Sequence, residues 1–75
     1  MTRIDKKVLA VLQFYDSKEG HQFWMENRAK GMDWEDNVIN LILKASFPET
    51  VEELEIVMWR IEDLLVERGI VRIAA

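Results

Sequence analysis

The segment from Glu49 to Arg72 constrains this chain most, because it reads as one long helix with apolar residues on two opposite faces. Thr50 and Glu53 have the spacing of a capping box, in which each side chain accepts from the other's orphan backbone N–H. Beyond them Val51, Leu54, Met58, Ile61 and Leu65 recur at spacings of 3, 4, 3 and 4. At about 100° per residue they share one stripe, widened by Val57 and Leu64. Ile56, Trp59 and Val66 fall roughly opposite. The outside of a small monomer should be polar there, so the helix is expected to be the hub of its own fold or half of an interface. Failing an interface, its second face must be covered by Phe23, Trp24 and Met25.

Three further helices are predicted upstream. The first covers about residues 3–15, capped by Thr2 with Asp5 three residues on, and its buried stripe is Ile4, Val8, Val11, Leu12 and Tyr15. Asp16 and Ser17 end it, since their side chains compete for backbone hydrogen bonds. The second covers about 19–30. Gly20 weakens its start, and Gly31 is placed to end it in the left-handed conformation. The third runs about 34–45, capped by Asp33, with Trp34, Val38, Leu41, Ile42 and Ala45 as its stripe. Pro48 restricts Phe47 to extended conformations and ends that stretch. The last helix, about 51–68, stops at Gly69, where Leu65 and Ile70 supply the hydrophobic contact of a Schellman ending.

Ile70-Val71-Arg72-Ile73 is β-branched and strand-like, with no comparable mate in the chain. Pairing across a two-fold axis with a second copy would satisfy it. The fold expected is therefore mainly α: a small bundle of four helices with a short C-terminal extended strand, forming a single helical domain over residues 1–75. Seventy-five residues lie near the lower limit for a core without staples, and the chain has no cysteine to supply them. Its 49% apolar content and three tryptophans favour a folded chain. No apolar run approaches a membrane span. Ile4 to Leu12 is interrupted by Asp5, Lys6 and Lys7, so no secretory signal is expected and a cytoplasmic location is.

Residues that could carry chemistry are isolated. His21 is the single histidine and has no converging partner, which assigns it a surface or packing role. Asp33, Glu35, Asp36 and Asn37 imitate a calcium loop, but the sixth and twelfth positions are Val38 and Lys44 where glycine and glutamate are required. Glu52-Glu53 and Glu62-Asp63 are neighbours on a helix and point about 100° apart, which suits solvent rather than general acid–base work. The three glycines are too far apart to cradle a phosphate. No catalytic residue, metal site or cofactor is expected. Phe23, Trp24, Trp34 and Phe47 are expected in the core.

Charge is unevenly placed. Residues 1–30 hold six bases against four acids, and residues 31–75 hold four against ten. The basic cluster Arg3, Lys6 and Lys7 is the candidate for nucleic-acid contact. The run from Ile61 to Ile73, with Leu64-Leu65-Val66-Glu67-Arg68-Gly69-Ile70-Val71-Arg72 within it, resembles the close of a recognition helix leading into the first wing strand of winged helix-turn-helix regulators. That resemblance implies a DNA-binding transcriptional regulator. DNA affinity rests on cations meeting phosphate, and the helix in question bears Glu52, Glu53, Glu55, Glu62, Asp63 and Glu67 against Arg60, so the charge balance points away from nucleic acid. The function expected is a small non-enzymatic protein-binding or regulatory module acting as a homo-oligomer, most simply a dimer. Its interface residues are expected to be Ile56, Trp59, Val66, Ile70, Val71 and Ile73.

Overall fold

A computed structural model describes residues 1–70 and contains α1 (Arg3–Asp16), α2 (Lys18–Ala29), α3 (Trp34–Ala45) and α4 (Val51–Glu67). The chain is mainly α, and no strand occurs among the described residues. The expected extended segment lies outside them from Val71 onward.

Local chemistry accounts for each boundary. At α1 the capping box is complete: the Asp5 N–H donates to Thr2 Oγ1 and the Thr2 N–H to Asp5 Oδ2, both at 3.1 Å. Asp33 caps α3 by accepting from the Asp36 N–H at 2.8 Å. Thr50 caps α4 by accepting from the Glu53 N–H at 3.0 Å. Here the reciprocal bond departs from expectation, because Glu53 accepts from the N–H of Glu49 rather than Thr50. Its carboxylate is also drawn to Arg3 and Lys7. Gly69 has φ 81° and ends α4 as expected, with the Ile70 N–H reaching the Leu65 carbonyl at 3.0 Å.

The junction of α1 and α2 is a single residue. The Ser17 N–H closes α1 on the carbonyls of Gln13 and Phe14, while its hydroxyl accepts from the Gly20 N–H and so starts α2. So abrupt a turn brings α2 against the end of α1. A Cβ at Gly20 would collide with the Phe14 carbonyl. The glycine that weakens the helix locally is the residue that permits the turn.

Four faces meet in one core. α1 contributes Val8, Val11 and Tyr15; α2 contributes Trp24; α3 contributes Trp34, Val38, Leu41 and Ile42; α4 contributes Val57, Ile61 and Leu65. Burying Ile61 or Leu65 stabilises the fold by about 1.5–3 kcal/mol each. Tyr15, Trp24 and Trp34 stack edge to face in series, with successive ring centroids 5.6 Å apart. Such geometry suits the quadrupole of each ring.

Three expectations about packing are corrected. α1 and α3 each pack on all three other helices, whereas α4 packs on α1 and α3 alone, so α4 is the longest helix but not the hub. Among the described helices α2 and α4 are the one pair not packed together, and they stand on opposite sides of the domain. Val51, expected on the buried stripe, is 71% exposed. Helical side chains tilt toward the N-terminus, so a first-turn residue points past the end of the core. Phe47 is 81% exposed rather than in the core. It sits in the extended link before Pro48, held there by its carbonyl, which accepts from Lys7 Nζ at 2.7 Å.

Candidate functional site on the outer face of α4

The 3.6-residue period fixes what α4 presents outward. With Val57, Ile61 and Leu65 centred on the core, Ile56, Trp59, Asp63 and Val66 form the opposite ridge. Ile56, Trp59 and Val66 are 42%, 58% and 55% exposed. The chain does not cover them: Trp24 is spent in the core, Phe23 packs on Phe14 with ring centroids 6.2 Å apart, and Met25 is itself exposed. Single exposed apolar side chains are ordinary, but here three share one ridge with a tryptophan at the centre, which makes the ridge the candidate site.

Around this ridge stand Glu52, Glu55, Asp63 and Glu67, all exposed and without an ion pair among the described residues. The one base within the helix, Arg60, and the base that caps its end, Arg68, are engaged elsewhere. Arg60 bonds Asp5 at 2.5 Å and Arg68 bonds Asp16 at 2.6 Å. The Arg60 guanidinium, with the Thr2 N–H and hydroxyl, lowers the Asp5 pKa to about 2. The outer face of α4 is thus apolar along its middle and acidic at its edges.

The remaining expected interface residues fall differently. Ile70 is half-buried and packs on the chain's own core as the closing contact of α4. Val71 and Ile73 lie outside the described residues.

Of the basic cluster, two members are committed to α4. Arg3 pairs with Glu49 at 2.6 Å and with Glu53 at 3.2 Å; Lys7 pairs with Glu53 at 3.0 Å. The Lys7 side chain is only 18% exposed. These contacts hold the Glu53 carboxyl below its ordinary pKa, chiefly through the Lys7 hydrogen bond, and raise that of Arg3 through Glu49. Lys6 is exposed and has no ion pair among the described residues.

Two buried polar devices escaped the sequence reading. Asn27 Nδ2 donates to Asn37 Oδ1 at 3.0 Å, and Asn37 Nδ2 donates to the Trp24 carbonyl at 3.1 Å, tying α2 to α3. Asn37 is 1% exposed. The signal was present: Asn37 follows Trp34 by three residues and precedes Leu41 by four, which puts it on the buried stripe. Trp34 Nε1 donates to Glu62 Oε2 at 3.0 Å. Glu62 therefore serves the core rim, whereas its neighbour Asp63 faces outward. His21 is exposed and meets the Tyr15 ring edge-on at 6.1 Å. Burial raises the Tyr15 pKa, with Asp16 adding to the effect.

Among the described residues no helix is long and apolar enough to cross a membrane. No protein-family pattern, curated protein or solved structure matches this chain.

Proposed function

We propose that this chain is a small non-enzymatic protein-interaction module, regulatory in role, that acts as a homo-oligomer through the outer face of α4. The observation that carries this reading is the exposed ridge of Ile56, Trp59 and Val66 on a helix whose other face is already spent in the core. A tryptophan so placed supplies a large rigid anchor at small entropic cost. A cysteine-free chain suits a reducing cytoplasm, which is the location proposed for it.

Sedimentation over a concentration series tests the reading. Because Ile56 and Trp59 are exposed in the single chain, Ile56→Glu with Trp59→Lys should leave the thermal transition in place and abolish the rise in mass with concentration. A wild-type chain that stays monomeric throughout, or a double variant that associates as the wild type does, overturns it.

A winged-helix-like DNA-binding regulator is the weaker reading. It would need Arg3, Lys6 and Lys7 at phosphates, and two of these are paired with the acids that flank the start of α4. Gel shift at low salt decides: specific binding with a steep salt slope would restore DNA as the partner.

A further inference from the structure

Taking α4 as the docking surface, we propose that its occupant is the outer face of α2 from a second copy, so that molecules join head to tail. The inference rests on the proposed function and goes beyond it by naming both halves of the contact.

The α4 face is unsuited to pairing with itself. In an antiparallel two-fold pair centred between Ile56 and Val66, Glu55 would stand opposite the partner's Glu67. The two Asp63 carboxylates would lie within about one helical turn of each other in the seam. Like charges so placed repel, and desolvation strengthens the repulsion. Neither Arg60 nor Arg68 is free to relieve it, since both are bound to acids of α1.

The α2 face has the complementary character. Lys18, His21, Met25 and Arg28 recur at spacings of 3, 4 and 3, the same as Ile56, Trp59, Asp63 and Val66. All four are exposed, and Met25 is 45% exposed at the middle of the row. Lys18, Arg28 and Lys30 form no ion pair among the described residues. The acids of α2, Glu19 and Glu26, lie on its other flank, where they line a cleft with Phe23 and Lys44.

Laid antiparallel, the two rows run in register, with the alkyl stems of Lys18 and Arg28 lying along Val66 and Ile56 and their charged ends reaching past them. Met25 meets Trp59, a thioether against an indole, which is a favourable contact. Arg28 comes to Glu55 and Glu52, His21 to Asp63, and Lys18 to Glu67. Both faces are already formed in the single chain, so association requires no refolding. The ridge from Ile56 to Val66 is only about 15 Å long. Such a contact belongs to the small, weak class of interfaces.

Topology then sets the form of the assembly. α2 and α4 stand on opposite sides of the domain. A contact between unlike faces leaves one of each open on every pair, so growth continues as an open chain or closes as a ring.

The test uses two variants of the full chain, each lacking one face. Trp59→Glu removes the α4 face, and Met25→Glu with Arg28→Glu removes the α2 face. Sedimentation is followed into the millimolar range. The wild type should gain mass beyond a dimer, and added salt should reduce the gain. Each variant alone should bind its own kind at least about tenfold more weakly. Mixed in equal amounts, they should form a one-to-one dimer and nothing larger, because one intact α4 face then meets one intact α2 face. Should the α2 variant unfold, Lys18→Glu with Arg28→Glu replaces it. An α2 variant that associates as the wild type does overturns the inference and leaves α4 as the docking surface. A mixture that stays monomeric overturns it equally. If Trp59→Glu associates like the wild type, or the wild type never gains mass, both the inference and the proposed function fall.

Discussion

Gly20 offers a substitution for which local propensity and tertiary packing predict opposite signs. In an isolated helix Gly20→Ala should gain up to about 1 kcal/mol, from reduced backbone entropy in the unfolded chain. In the folded protein the new methyl group has no room, because it meets the backbone carbonyl of Phe14 rather than a side chain that could rotate aside. α2 must move outward. That movement opens the edge-to-face contacts of Trp24 with Tyr15 and, through the core, with Trp34. Losing both costs about 1–3 kcal/mol, and residual overpacking adds about 1–3 kcal/mol. Set against the helical gain, the net loss should be ~3 kcal/mol. A chain of this length has a total stability of about 4–11 kcal/mol, so the transition temperature should fall by more than ~10 °C. Urea unfolding followed by far-UV circular dichroism, with tryptophan fluorescence as the second probe, measures the loss. Gly31→Ala is the control. It has φ 87° with nothing near the added methyl group, so only the left-handed backbone cost of about 1–2 kcal/mol applies. A Gly20→Ala protein as stable as the wild type would refute the close approach of the two helices.

Thr50→Ala should cost about 0.5–2 kcal/mol by removing the cap on α4; an unchanged denaturation midpoint would mean the helix starts elsewhere. Asn37→Ala should cost about 2 kcal/mol, since it leaves the buried Asn27 amide without its acceptor and removes the side-chain donor to the Trp24 carbonyl; a double-mutant cycle with Asn27→Ala should show strong coupling. On acidification the Asp5–Arg60 contact should fail late, below the range in which ordinary carboxylates protonate. The Asp5 pKa is held down to about 2 in the folded chain, so its contribution is present above the unfolded value near ~4 and is lost as pH falls toward ~2. Asp5→Asn should flatten stability across that window, and an unaltered acid transition would exclude the contact.

Helix boundaries were legible in the residues because caps are local. Thr2, Asp33 and Thr50 each satisfy an N–H three residues away, and Gly69 supplies a left-handed residue where α4 must stop; none of this needs the rest of the fold. The buried stripes of α1 and α3 were legible for a similar reason, since helical period alone places Val8, Val11, Val38 and Leu41 together. Tertiary structure decided the rest. Only the abrupt turn at Ser17 shows why residue 20 must be glycine, because the obstructing atom belongs to another helix. Only the packing of α2 on α3 turns two ordinary asparagines into a buried pair. Ion pairing was equally non-local: Arg3 and Lys7 read as a free basic patch until α4 brought Glu49 and Glu53 to them. The second apolar face of α4 was visible from its period, but its state was not. Periodicity says which residues share a face, and it carries no information on how many neighbours the fold has left to cover it. Here α1 and α3 occupy one side of α4, α2 lies across the domain, and Ile56, Trp59 and Val66 remain exposed.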